Sequence, residues 1–88
     1  MRFRGIACSP EVEEKLLRKH HVGLDDVREA LLGDPHIVRG SGGLRYVLSQ
    51  TEAGRYLAIV VRYLGAGVAR IVTARDMNDA ERRTYWRR

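Results

Sequence analysis

Residues 55–75 read RYLAIVVRYLGAGVARIVTAR: two runs rich in β-branched and aromatic side chains around a glycine-bracketed centre. Such side chains suit a half-buried pleated surface, so the runs predict two strands, Arg55 to Leu64 and Val68 to Arg75. Gly65-Ala66-Gly67 is then a three-residue hairpin loop with glycine last, as a bulged hairpin prefers. With Leu64 opposite Val68, Arg62 faces Arg70. That face also carries Ala58, Val60, Val72 and Ala74. The other face carries Leu57, Ile59, Val61, Tyr63, Ala69, Ile71 and Thr73, which are bulkier and form the predicted core face. Directly opposed like charges destabilise a sheet by a few tenths to about 1 kcal/mol. An anion between Arg62 and Arg70, or side chains splayed into water, would relieve this.

Working outward, Glu52-Ala53-Gly54 is a turn and Leu44 to Thr51 a further strand, preceded by the loop Gly40-Ser41-Gly42-Gly43. Upstream, Ser9-Pro10 signals a helix start. Serine caps free amides, proline is tolerated in the first turn, and Glu11, Glu13 and Glu14 suit the positive end of the helix dipole. Lys15, Arg18, Lys19 and His20 close this helix near His20, and Gly23 marks the break. Asp25-Asp26 opens a second helix through Leu32, stopped by Gly33-Asp34-Pro35. Arg2 to Cys8 alternates as a short strand. Downstream, Asn78-Asp79-Ala80-Glu81 is a capping box opening a terminal helix with Arg82, Arg83, Tyr85, Trp86, Arg87 and Arg88. Helices before and after a strand meander make one α+β domain spanning residues 1–88.

The chain has 88 residues, 44% hydrophobic and 31% charged, the profile of a folded domain with a modest core. Its longest apolar run, Leu57 to Val61, is far short of the roughly 20 residues that span a membrane. No signal peptide is visible, and the expected location is the cytoplasm. Cys8, the single cysteine, excludes an intrachain disulfide and reads as a buried, inert thiol. His20, His21 and His36 with one cysteine make no zinc pattern, and no phosphate-binding glycine loop is present, so no metal or cofactor is expected. Charge is uneven. Residues 1–44 carry seven basic and seven acidic side chains; residues 45–88 carry nine arginines and four acids, which is the whole net charge of +5. A basic half built from planar guanidinium forks suggests a polyanionic partner such as RNA, DNA or an acidic protein. Arginine interleaved with aromatics suits phosphate pairing and base stacking, although Tyr85 or Trp86 also suits docking of the helix on the sheet.

In order along the chain, Lys19-His20-His21-Val22, Asp25-Asp26-Val27-Arg28-Glu29-Ala30, Arg45-Tyr46, Gly54-Arg55, Ile59-Val60-Val61 and Arg70-Ile71-Val72-Thr73-Ala74-Arg75, then Glu81-Arg82 and Tyr85, resemble the BrnT family of type II toxin–antitoxin toxins. The match covers about 70 residues. It departs at the start: Ala7-Cys8-Ser9 replaces an aromatic-Asp strand end, Val12 and Leu16 replace a Lys and an Asn on the first helix, and His21 replaces a glycine. The resemblance implies a RelE-like fold, with helices packed on one face of a small antiparallel sheet. It implies a metal-independent endoribonuclease that blocks translation, with RNA and a ribbon-helix-helix antitoxin as partners; self-association is left open.

Cleavage by ribose 2′-hydroxyl attack needs a base, an acid and a stabiliser for the added negative charge. His20 is the candidate base or acid. Lys19, Arg75 and Arg82 are candidates to hold the phosphate, and Tyr85 to stack a base or donate a proton. Arg45, Arg55, Arg62, Arg70 and Arg83 complete the expected RNA-binding set. Replacing His20 or Arg75 by alanine is expected to cut cleavage at least about tenfold with the fold intact. The polar residues missing from the first helix support the rival reading, a non-catalytic RNA- or protein-binding module of the same fold.

Overall fold

The computed structural model describes residues 3–88. Met1 and Arg2 lie outside the described residues, Arg2 being the first residue of the predicted N-terminal strand. The elements run β1 (Gly5–Ala7), α1 (Pro10–His20), α2 (Leu24–Leu32), β2 (His36–Arg39), β3 (Leu44–Gln50), β4 (Tyr56–Gly65), β5 (Val68–Asp76) and α3 (Asp79–Arg87). The strands form one sheet in the order β1-β5-β4-β3-β2. The α+β class holds, with three differences from the expectation. The sheet is mixed, because β1 pairs parallel to β5 while all other pairs are antiparallel. A strand absent from the sequence reading, β2, covers one edge of β3. The helices also lie on both faces, not one.

α1 and α2 cover the face that carries Leu57, Ile59 and Val61 of β4, Ala69, Ile71 and Ala74 of β5 and Val47 of β3, all buried with Leu16, Val22, Val27, Ala30 and Leu31. This is the bulky face expected to be the core. Ser49 is fully buried there, and its hydroxyl donates to the Ala30 carbonyl at 2.6 Å, which ties α2 to β3. Ser9 caps α1 by accepting from the Val12 amide at 3.2 Å. The cap at the other end is His21, not Gly23: His21 adopts the left-handed conformation, φ 54. Its amide and that of Val22 reach back to the carbonyls of Leu17 and Leu16, both at 3.1 Å, a Schellman ending.

The opposite face is open except where α3 crosses its end, burying Leu48, Ala58, Met77 and Tyr85 in a second, smaller cluster. Arg62 does pair with Arg70 as the hairpin reading required. The loop is tighter than expected, however. Gly65 pairs with Val68, leaving Ala66-Gly67 as the turn, both at positive φ (53 and 79), as a type I′ hairpin needs.

A bulge in β5 changes the face assignment past Ile71. Val61 opposes Ile71 but Val60 opposes Thr73, so Val72 is the extra residue. Thr73 therefore shares the open face with Arg62 and Arg70, while Ala74 is buried under the helices. This reverses the two residues' predicted positions. It also turns Arg75, opposite Ala58, outward to the open face and sends Asp76, opposite Leu57, to the helix side. No helix among the described residues is long and apolar enough to cross a membrane.

Candidate nucleic-acid site at the α3 end of the sheet

The register places the start of β4 beside the end of β5, so Arg55, Tyr56, Arg75 and Asp76 gather at one end of the sheet. The C-terminus of α1 arrives at the same end. The Arg55 guanidinium joins these elements. Its Nε donates to Asp76 Oδ1 at 2.7 Å and its Nη2 to Oδ2 at 3.4 Å. Its Nη1 and Nη2 also donate to the carbonyls of His21 at 2.6 Å and His20 at 3.0 Å, capping the negative end of α1. Asp26 lies 3.8 Å from Nη1. Arg55 is thus a staple between α1 and the hairpin, its hydrogen bonds made within the fold.

Asp76 is held below the usual carboxylate range chiefly by the Arg55 hydrogen bond; burial opposes this, and the charges of Arg55, Arg82 and His20 add lesser lowering effects. His20, half-buried, and Arg82 therefore both stand within electrostatic reach of one carboxylate. Arg82 lies over the Tyr56 ring, 4.8 Å from its centroid, a cation–π contact. His20, Arg55, Asp76 and Arg82 form the cluster that could take part in acid–base chemistry on a phosphodiester. Lys19 is exposed on the last turn of α1, beside His20.

Arg75 sits on the open face next to this cluster. Glu81 grips it bidentately, with Nη1 to Oε1 at 2.7 Å and Nη2 to Oε2 at 2.9 Å. Glu81 also accepts from the Asn78 amide at 2.9 Å, while Asn78 accepts from the Glu81 amide at 2.8 Å. The capping box read from the sequence is present, and Arg75 is clamped to it. Glu81 consequently titrates below the usual carboxylate range, chiefly through the Arg75 hydrogen bond. Arg75→Ala therefore removes a contact to the α3 cap as well as a cation. Tyr85 is 5% exposed, and its hydroxyl donates to the Asp34 carbonyl at 2.9 Å. Arg88 stacks on its ring at 3.8 Å and pairs with Asp34. Tyr85 docks α3, and its hydroxyl is occupied.

The remaining arginines are dispersed. Arg45 shares the helix-side face with Val47 and donates to the Leu44 carbonyl at 3.0 Å. Arg62 is drawn to the Gly42 carbonyl at 2.5 Å, which turns it from Arg70 and relieves their opposition. Arg70 is exposed at the opposite end of the open face from α3, and Arg83 lies on the outer side of α3. Between Arg70 and Arg75 the open face carries the cross-strand row Val38, Tyr46, Val60 and Thr73, with Tyr46 46% exposed. Cys8 is half-buried and unpaired; burial, with Glu13 nearby, pushes its thiol up and away from the reactive thiolate.

Sequence reading missed Asp76, Tyr56 and Glu81 as parts of this end of the molecule. Each acts through a partner whose nearness depends on strand register or on how α3 crosses the sheet. Only the capping box hinted at Glu81.

No family model matches the sequence, and no curated protein matches it. Among solved structures, the chain is similar to the crystal structure of the Brucella abortus ribonuclease toxin BrnT, at 10% sequence identity and a TM-score of 0.71, over 85% of this chain and 97% of that one. At that identity the likeness shows the fold: this chain has the fold of a ribonuclease toxin.

Proposed function

We propose that this protein is the toxin of a toxin–antitoxin pair and acts as a metal-independent endoribonuclease. The observation that carries the reading is that Arg55, Asp76 and Arg82 gather with the C-terminal end of α1, which bears His20, at one end of the sheet, in a fold shared with a ribonuclease toxin. The imidazole takes the proton from the ribose 2′-hydroxyl as it attacks the adjacent phosphorus. The bond to the 5′-oxygen breaks, the leaving oxygen takes up a proton from water, and a 2′,3′-cyclic phosphate forms. Arg82, with Lys19 behind His20, offsets the charge that builds on the phosphoryl oxygens. Asp76, fixed by Arg55, places a negative charge at the same end of the sheet. An antitoxin would act by covering this end of the sheet.

The test is single-turnover cleavage of a labelled RNA by the parent protein and by His20→Ala. Arg55 grips the backbone carbonyl of His20, not its side chain, so the substitution leaves the staple in place. The expected loss is at least about tenfold, the lower part of the range for a general acid or base. Equal rates in the two proteins would refute the assignment.

A second reading rests on the ion pairs. Asp76 neutralises Arg55 and Glu81 neutralises Arg75, which leaves fewer free cations for a transition state than the sequence suggested. A module that binds RNA or an antitoxin without cleaving would tolerate this. Salt-sensitive RNA binding with the RNA left intact would favour it.

A further inference from the structure

We propose that the outer side of α3 is a base-stacking subsite for single-stranded RNA, with Trp86 as the platform and Arg82 and Arg83 as the phosphate contacts. The proposal rests on the RNA-directed reading above and adds to it a neighbouring place, adjoining the reacting phosphate at Arg82, where the substrate strand is held. Trp86 is 71% exposed, whereas Tyr85 beside it is 5% exposed and sufficient to dock the helix. An indole left in water on a helix that another aromatic already anchors is not explained by packing. Nor is it loose. Its Nε1–H donates to the Tyr56 hydroxyl at 3.1 Å, and the two rings lie 6.2 Å apart at 53°. Tyr56 is itself held edge-on to Tyr85 and beneath the Arg82 guanidinium. The polar edge of the indole is thus satisfied and its orientation set, while much of its surface stays open. Such pre-organisation lowers the cost of binding a flat partner.

Beside the indole is a groove of about 250 Å³ lined by Asp79, Arg82, Arg83 and Trp86. Among the described residues neither arginine makes an ion pair, unlike Arg55, Arg75 and Arg88. An aromatic platform flanked by free guanidinium groups is the pattern that holds single strands, with bases stacked and phosphates paired. Asp79 is the one acid in the groove. As an acceptor it suits the amino edge of a base and not a phosphate.

Trp86 is the chain's sole tryptophan, so its emission reports this site directly. The probe is a 2′-O-methyl oligonucleotide of mixed sequence, which has no free 2′-hydroxyl and cannot be cleaved by 2′-attack. Titrated into the full chain, it should quench Trp86 saturably and less tightly as salt rises. Anisotropy of the same oligonucleotide, labelled, should show Trp86→Ala binding about five-fold to a hundredfold more weakly, the usual effect of removing one stacked base. Trp86→Phe should retain most of the affinity. Inorganic polyphosphate, which offers charge without bases, should leave the emission nearly unchanged. Oligonucleotide binding with Trp86 emission unchanged, and with Trp86→Ala as tight as the parent, would overturn the subsite while leaving the RNA reading standing. Quenching by polyphosphate as deep as by the oligonucleotide would overturn stacking. No oligonucleotide binding by anisotropy would overturn both.

Discussion

His21 is held at φ 54, a conformation that costs a non-glycine residue roughly 1–2 kcal/mol. The conformation is imposed by the fold: α1 must reverse here so that Val22 can bury completely. His21→Gly keeps the backbone carbonyl that Arg55 holds and removes the Cβ conflict. It should raise the unfolding free energy by about 0.5–1 kcal/mol, after allowing for the extra freedom of glycine in the unfolded chain. Urea unfolding would check this, and a fall in stability would contradict it. The same scale shows what the sequence hid. Arg55 and Asp76 are 21 residues apart, and nothing local marks either as the other's partner. His20 and Arg82 stood out by their chemistry alone; Lys19 and Arg55 stood out for the same reason, yet Arg55 turned out to be a staple.

Among the elements, the β4–β5 hairpin was legible because glycine marks its turn and β-branched residues fill its strands, and that reading gave the Arg62–Arg70 pairing correctly. The bulge at Val72 was not legible, since Val72 resembles its neighbours and no glycine flags it. Yet the bulge decides which face receives Arg75. β2 was missed for a different reason: four residues of mixed polarity become a strand only when β3 offers its edge. For α3 the cap was plain in Asn78 and Glu81, but the face it would cross was not, because both sheet faces carry apolar side chains at that end. Glu81 now joins two functions, capping α3 and neutralising Arg75. Glu81→Gln keeps an oxygen for the Asn78 amide and loses the ion pair. It should cost at most about 1 kcal/mol, as expected for a half-exposed pair. It should also free the Arg75 guanidinium, so that RNA binding tightens and its dependence on salt steepens by about one phosphate contact. Titrations of RNA at several salt concentrations would check this. Weaker binding would mean that Arg75 serves RNA only when clamped.

At the scale of the whole molecule, an 88-residue chain carries a net charge of +5 on a mixed sheet with helices on both faces. The expected basic half is real as composition but is not one patch: Arg45, Arg62 and Arg70 point to different parts of the surface, and only the α3 end, with Arg75, Arg82 and Arg83, gathers charge near His20. That end also holds two carboxylates that shape the response to acid. Asp76 and Glu81 both titrate lower in the folded protein than in the unfolded chain. Their contribution is therefore present above the unfolded carboxylate values and is lost as pH falls through the depressed folded ones. Stability should decline below about pH 5, and the decline should be shallower in an Asp76→Asn, Glu81→Gln double variant. Equal acid slopes by urea unfolding would show that other carboxylates dominate.

The central claim is that the α3 end of the sheet cleaves RNA through its own side chains. The most direct measurement is mass spectrometry of the product ends after purified protein is incubated with RNA in excess chelator. The account predicts fragments ending in 2′,3′-cyclic phosphate, reduced at least about tenfold by His20→Ala. Intact RNA, 3′-hydroxyl ends, or cleavage that the chelator abolishes would contradict it.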